Sequence, residues 1–198
     1  MSTFQVRIHG RGGQGVVTAA EMLSIAAFRE GRHAQAFPSF GSERTGAPVV
    51  AFCRIDDHPI RSHEPVVAPD ALIVQDSTLL HQVDVFNGLG ADGYLIVNTS
   101  KSFADLGLGE LARRLRPERR LTLPASEIAR ATVGRPLPNA VLLGAFAALT
   151  ELISLDSVRA AIGEKFSGAV AARNSDGAAR AYATVLPPMK ELAGAHAD

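Results

Sequence analysis

The chain has 198 residues, of which 46% are hydrophobic and 20% charged, the composition of an ordinary globular domain. Twenty basic residues balance twenty acidic ones without a long basic block, which argues against nucleic-acid binding. The single cysteine, Cys53, excludes an intrachain disulfide and a four-cysteine iron–sulfur cluster held by this chain alone. No apolar run is long enough to span a membrane and no signal-type segment is present, so we expect a soluble, cytoplasmic protein with no membrane partner.

Strand and helix patterns alternate along the first two thirds of the chain. Strands are predicted at residues 4–9, 33–37, 48–55, 71–75, 94–98 and 119–123. Helices are predicted at residues 16–30, at 77–86 with Asp76 or Ser77 as its cap, and at 103–116 with an interruption near Gly107 and Gly109. This alternation predicts a three-layer α/β/α fold with a mainly parallel or mixed sheet and a Rossmann-like start.

The last third of the sequence is predicted to be helical. Helices are expected at residues 139–152, 156–163 and 169–186. We therefore predict one domain over residues 1–198, with a sheet core at about 1–125 and a helical cap at about 126–198. Gly144, inside the apolar helix at 139–152, is interpreted as a position of close helix packing.

A glycine turn follows the first predicted strand and opens the first predicted helix. Gly10, Gly12 and Gly15 match the spacing of the dinucleotide fingerprint, with Gly13 and Gln14 between them. Glycine allows an anion to approach the backbone, and the free amides at a helix start favour phosphate. The alternative is that these glycines serve only a tight turn and close packing of helix against strand.

The sequence lacks one residue that an NAD-binding site of this type requires. A ribose-binding acid is expected near the end of the second strand, but the sequence there is AQAFP at residues 34–38. The phosphate interpretation survives, whereas the NAD interpretation weakens. The P-loop pattern is absent, which excludes a P-loop NTPase.

No catalytic or metal-ligating set is predicted. The six histidines are scattered without ligand spacing, and Cys53 falls in an apolar strand pattern typical of a buried, inert thiol. The nine-residue loop at 38–46 contains the adjacent charges Glu43 and Arg44, which form either part of a site or an ordinary surface ion pair. Such a chain resembles a subunit more than a complete enzyme.

Three segments together resemble the gamma subunit, or gamma domain, of the 2-oxoacid:acceptor oxidoreductases, the pyruvate and ketoisovalerate:ferredoxin oxidoreductase type. They are RIHGRGGQG at residues 7–15, PSFGSERTGAP at residues 38–48, and Pro138-Asn139 leading to Leu143-Gly144. Phe166 and Asn174 resemble the closing segment of the family, so that the similarity extends over nearly the whole chain.

The resemblance implies a multisubunit enzyme that oxidatively decarboxylates a 2-oxo acid with coenzyme A to acyl-CoA and CO2. It implies alpha, beta and ferredoxin-like delta type partners, which hold thiamine diphosphate, Mg and iron–sulfur clusters and pass electrons to ferredoxin or another acceptor. This chain would hold none of these cofactors itself, since it lacks the thiamine-site metal motif and the cysteines. Coenzyme A would be a co-substrate, and the chain would not be active alone.

The resemblance also suggests the residues that face coenzyme A or a neighbouring subunit. From the glycine turn they are Gly10, Gly12, Gly13, Gln14 and Gly15; from the loop they are Phe40, Gly41, Glu43, Arg44 and Gly46. The family often has other residues where this chain has Phe40, Ser42 and Thr45, which affects the detailed contacts of the loop. Two alternatives stay open: a stand-alone NAD- or FAD-binding oxidoreductase, and a purely structural scaffold subunit.

Overall fold

Six strands form one mixed sheet in a computed structural model that describes residues 3–39 and 45–195. The strands are β1 (Phe4–Arg11), β2 (His33–Pro38), β3 (Pro48–Asp56), β4 (Ala71–Val74), β5 (Tyr94–Asn98) and β6 (Arg120–Leu123). Their order across the sheet is β2-β3-β1-β4-β5-β6. β3 runs antiparallel to both of its neighbours, whereas the pairs from β1 to β6 are parallel. The α/β fold with a mixed sheet is therefore confirmed.

Six α-helices accompany the sheet in the described residues. They are α1 (Val16–Arg29), α2 (Gly109–Arg114), α3 (Ala125–Thr132), α4 (Asn139–Thr150), α5 (Leu155–Lys165) and α6 (Gly168–Ala195). Two short 3₁₀ helices lie at Ser77–His81 and Pro117–Arg119. The helical character of the C-terminal region is confirmed, while its division from a sheet core at about residue 125 stays a prediction.

The two faces of the sheet belong to two separate apolar clusters. Ile73 of β4 joins a large cluster with α1, α4, α5 and α6, while its neighbours Leu72 and Val74 join a smaller cluster around Leu79 and Phe103. This alternation follows from the pleat of a strand, whose successive side chains point to opposite faces. Both faces of β4 are thus buried, which explains its uninterrupted apolar sequence.

α4 is the central helix of the larger cluster. Its residues from Asn139 to Leu149 are all buried. A Cβ atom on Gly144 would lie 2.0 Å from the carbonyl oxygen of Ala178 in α6, so only glycine fits at this crossing. The close packing predicted for Gly144 is confirmed.

The helix predicted at residues 77–86 is wrong. Only Ser77–His81 is helical, as a 3₁₀ helix that Asp76 caps by accepting a hydrogen bond from Thr78 N. The buried guanidinium of Arg7 donates hydrogen bonds to the carbonyl oxygens of Val85, at 3.0 Å, and Asn87. The segment after His81 folds as turns, and its carbonyl groups accept hydrogen bonds from this side chain distant in sequence.

The helix predicted at residues 103–116 is also wrong over its first half. Leu108 N donates to Phe103 O at 2.8 Å and Gly107 N to Ala104 O at 2.9 Å, the hydrogen-bond pattern that ends a helix at a left-handed glycine. Gly107 has φ 73°, and the chain becomes helical again only at Gly109. The interruption predicted near Gly107 and Gly109 was correctly placed. The residues before it, however, form a single turn instead of the first half of a helix.

The helices of the C-terminal region differ from the prediction in several respects. α3 was not predicted, and α5 is slightly longer than expected at both ends. α6 continues to Ala195 through Pro187 and Pro188, beyond the predicted end at residue 186. No helix of the described residues is long and apolar enough to cross a membrane.

Candidate functional site

The order in which strands are added to the sheet reverses at β1. The chain leaves β1 towards β2 and β3 on one side, and then crosses to β4 on the other side. In open α/β sheets, ligands bind in the crevice outside the carboxyl ends of the strands at such a switch point. The glycine turn follows β1 and Asp76 follows β4, so both lie at this position.

The glycines of the turn are needed for different structural reasons. A Cβ on Gly10 would lie 2.5 Å from Val16 Cγ2, so Gly10 allows α1 to pack against β1. Gly13 and Gly15 have φ angles of 91° and 70°, in the left-handed region that favours glycine. Around Gly13 a Cβ would meet no atom within 4 Å, so this backbone is open to a ligand. Packing alone therefore accounts for Gly10 but not for Gly13.

Some backbone amides of the glycine turn donate hydrogen bonds within the protein, whereas others have no acceptor. Gly12 N donates to Ala47 O at 2.9 Å, and Gln14 N donates to Arg11 O at 3.0 Å. The first hydrogen bond into α1 runs from Ala19 N to Gly15 O, and the first turn of α1 has no acidic residue or side-chain cap. Among the described residues, the amides from Gly15 to Thr18 have no partner and remain available to an anion.

A network of charged and amide groups fixes the turn. Gln14 Oε1 accepts from Arg11 N at 2.8 Å, and Gln14 Nε2 donates to Asp76 Oδ2 at 2.8 Å. The Arg11 guanidinium donates to Asp76 at 3.2 Å and to Thr78. Burial alone would raise the pKa of Asp76, but the hydrogen bonds from Thr78 and Gln14 and the charge of Arg11 together lower it. Arg11 and Gln14 therefore position the turn, and Arg11 is not free to bind an anion.

The second predicted segment meets the glycine turn through Gly46. Gly46 N donates to Gly12 O at 3.1 Å, and Gly46 O accepts from Arg11 Nη1 at 3.0 Å. These bonds join residues that the sequence separates by more than 30 positions. The remaining loop candidates lie outside the described residues: Phe40, Gly41, Glu43 and Arg44.

A cleft of about 510 Å³ opens beside the free end of α1, and we call it the arginine cleft. Its glycine-turn side consists of Gly13, Gln14, Gly15 and Thr18. Its apolar wall consists of Val133, Leu137, Phe166 and Val170. Its remaining polar residues are Arg135, Asn139, Arg173 and Asn174. The glycine turn thus meets the C-terminal helices in one concave site.

Sequence patterns did not predict the two arginines of this cleft. Arg135 precedes α4 and Arg173 lies in α6, more than 100 residues from the glycine turn. Asn139, Phe166 and Asn174 were named only as part of the family resemblance, and no spacing rule placed them near Gly15. All five residues line the same cleft, which only the tertiary structure brings together.

The arrangement of the strands disfavours an NAD site. In the dinucleotide fold, the strand beside β1 ends in the acid that binds the ribose. Here the strand beside β1 is the antiparallel β3, which presents its first residues, Pro48 and Val49, at the glycine-turn end. β2 ends at Pro38 on the far side of β3. The position of the ribose-binding acid is thus occupied by Pro48 and Val49.

The described residues do not fit a metal ion or an iron–sulfur cluster. No group of three His, Cys, Asp or Glu side chains with metal-binding geometry occurs in residues 3–39 and 45–195. Cys53 is fully buried, and burial raises the pKa of its thiol. Its predicted burial is confirmed. His9 is also buried, and burial together with the charge of Arg7 lowers its pKa to about 4.

Fold and site together define a Rossmann-like α/β protein with free backbone amides at its glycine turn and no three-ligand metal group in its described residues. The family model described as pyruvate ferredoxin/flavodoxin oxidoreductase matches residues 5–184. The chain belongs to this family. Within it, the chain is a gamma subunit of a multisubunit 2-oxoacid oxidoreductase, as the following relatives indicate.

Two curated relatives and one solved structure cover nearly the whole chain. Pyruvate synthase subunit PorC of Methanothermobacter thermautotrophicus is 47% identical over 178 residues, covering 90% of this chain and 93% of the relative. The common gamma subunit of the pyruvate/ketoisovalerate oxidoreductases of Pyrococcus abyssi is also 47% identical, with 90% and 95% covered. The crystal structure of pyruvate oxidoreductase subunit PORC from Thermotoga maritima matches with a TM-score of 0.78 and 35% identity, covering 92% of this chain and 97% of that one.

Proposed function

We propose that this chain forms the coenzyme A side of the active site in an enzyme that converts a 2-oxo acid, coenzyme A and an oxidised acceptor into acyl-CoA, CO2 and a reduced acceptor. Its partners in this proposal are alpha, beta and ferredoxin-like delta type subunits. The relatives are named for pyruvate and ketoisovalerate, which makes these two acids the first substrates to test.

One observation carries the proposal: the first, third and closing segments that resemble the family converge on the arginine cleft. Gly13 and Gly15 of the first segment, Asn139 of the third, and Phe166 and Asn174 near the end line this single cleft. The convergence supports a bound ligand in preference to a purely structural scaffold.

The chain's own residues supply binding and orientation in this proposal. Coenzyme A carries phosphate groups, which suit the free amides from Gly15 to Thr18. Thiamine diphosphate, Mg and iron–sulfur clusters belong to the partner subunits, because no three-ligand group occurs in the described part of this chain. The bonds of Gly46 to the glycine turn favour a role for the adjoining loop, with Phe40, Gly41, Glu43 and Arg44, in contacting coenzyme A or a neighbouring subunit.

Anoxic purification of the tagged chain from its own cells tests the assembly. We expect the chain to bring down partners that contain thiamine diphosphate, iron and acid-labile sulfide. The complex should reduce a low-potential acceptor only when both a 2-oxo acid and coenzyme A are present, and acyl-CoA should form in proportion.

The control for this experiment is the chain produced alone. It should show no activity with any 2-oxo acid, and it should bind NAD and FAD weakly, since Pro48 and Val49 occupy the position of the ribose-binding acid. A lone chain that is fully active, or a complex whose product forms without coenzyme A, would refute the proposed function.

A further inference from the structure

Two arginines at the arginine cleft have no counter-ion in the described residues. Arg135 and Arg173 are exposed, neither pairs with a described carboxylate, and the described lining contains no Asp or Glu. Arg180, about two turns further along α6, differs because its guanidinium pairs with Asp176 at 3.0 Å. Unpaired positive charge around a concave site attracts anions.

A buried amide points to the same ligand. Asn139 is only 5% exposed, and its Oδ1 accepts a hydrogen bond from Ala140 N at 2.9 Å. Its Nδ2 lies 2.6 Å from the position of a Cβ on Gly15 and has no hydrogen-bond partner among the described residues. The Nδ2 atom is open to the cleft, because Asn139 is one of the residues that line it. An oxygen atom bound at the start of α1 would accept a hydrogen bond from this amide.

The apolar residues of the cleft include one aromatic ring. Val133, Leu137, Phe166 and Val170 form the apolar wall. Free phosphate would leave the wall unused, whereas a nucleotide has both a flat base and charged phosphate groups. The volume of the cleft, about 510 Å³, lies in the range of small-molecule sites.

We infer that the arginine cleft binds a phosphorylated nucleotide, with Arg135, Arg173 and the Asn139 amide at its phosphate groups and its base against the Phe166 wall. The inference rests on the proposed function only where it identifies this nucleotide as the adenine end of coenzyme A. The helices α4 and α6 would then recognise the charged end of the co-substrate, while its thiol reacts elsewhere. Arg135 and Arg173 are thus residues for binding and specificity, not catalytic residues.

Calorimetric titration of the full chain with adenosine 3′,5′-bisphosphate, and separately with inorganic pyrophosphate, tests the site directly. Arg135→Ala and Arg173→Ala should each weaken binding about tenfold, equivalent to about 1.4 kcal/mol. Arg173→Lys should restore part of the affinity, because it keeps the charge but not the planar fork. Arg180→Ala, on the same helix, is the matched control and should change the affinity less than twofold.

Two outcomes would overturn the inference. One is the absence of binding of either probe by the wild-type chain at millimolar concentration. The other is equal weakening by Arg180→Ala and Arg173→Ala, which would indicate general surface charge. Tighter binding of the bisphosphate than of pyrophosphate is expected from the apolar wall; equal affinity would overturn the assignment of the base.

The assembled enzyme separates this inference from the proposed function. Arg173→Ala should raise the KM for coenzyme A about tenfold, leave kcat and the KM for the 2-oxo acid unchanged, and have no effect when pantetheine, which lacks phosphate groups, replaces coenzyme A. If the variant loses bisphosphate binding while the KM for coenzyme A is unchanged, the phosphate site stands and the proposed coenzyme A role is refuted.

Discussion

The contact between α4 and α6 gives a sharp test of the fold that builds the arginine cleft. In Gly144→Ala, the new Cβ would lie 2.0 Å from Ala178 O, whereas ordinary Cβ contacts begin at 3.4 Å. The two helix backbones would therefore have to separate by more than 1 Å. Overpacking of this kind costs about 3 kcal/mol, the upper part of the usual range, because backbone atoms cannot rotate away. For a chain of this size, that corresponds to a fall in Tm of about 6 to 12 °C.

Thermal unfolding followed by circular dichroism measures this effect, and Gly163→Ala in α5 is the matched control. A Cβ on Gly163 would meet no atom within 4 Å, so the same substitution should stabilise the helix by about 0.4 to 1 kcal/mol. The two changes should shift Tm in opposite directions. If Gly144→Ala unfolds at or above the wild-type temperature while Gly163→Ala behaves as expected, α4 and α6 do not cross as closely as described.

Two further predictions concern pH. Unfolded histidine binds a proton near pH 6.5, but His9 in the folded chain does so only near pH 4, so stability should fall by about 2 kcal/mol between pH 7 and pH 5. Urea unfolding at several pH values measures this effect. The stability of His9→Gln should lose this pH dependence, whereas the stability of the exposed His33→Gln should keep it. An unchanged pH dependence in His9→Gln would contradict the burial of His9. Asp76→Asn should lower the free energy of unfolding by about 1 to 2 kcal/mol at pH 7, through weaker bonds to Arg11 and Gln14. Because the pKa of Asp76 is lowered in the folded chain, the stability that its carboxylate contributes is present above about pH 4 and is lost as the pH falls further. The free energies of unfolding of wild type and Asp76→Asn should therefore become equal in acid. A difference that persists at low pH would oppose this explanation.

Local sequence signals predicted the elements whose folding depends on local contacts. The apolar strand β4 and the helix α4 were predicted because their patterns match buried elements. The glycine turn was predictable because glycine favours positive φ, and Gly13 and Gly15 adopt this conformation in the structure. The helix at residues 77–86 was predicted wrongly: beyond His81 the chain forms turns that lie against Arg7, a contact that spans about 80 residues. No local pattern contains that information.

The candidate site was predictable in part for the same reason. Gly13 and Gly15 have a recognisable motif, whereas Arg135 and Arg173 are two of 17 arginines with no distinguishing neighbours in the sequence. Their importance arises from where α4 and α6 pack and from the absence of a carboxylate from the described lining. A sequence pattern specifies the backbone of the proposed phosphate site, and the tertiary packing supplies its charges.

The position of β3 bears on where a ligand bound at this dinucleotide-like turn would extend. Gly12 forms hydrogen bonds with Gly46 and Ala47 in the segment that leads into β3, and only a smaller cleft of about 230 Å³, lined in part by Val49, lies on that side of the turn. In the proposed site, a ligand phosphate at the start of α1 extends instead towards Asn139 and the arginine cleft of about 510 Å³. In an NAD-binding protein, the open side leads to the ribose-binding acid of the second strand. Insertion of one antiparallel strand thus removes the position of the ribose-binding acid, and in the proposed function the rest of the ligand extends towards the C-terminal helices.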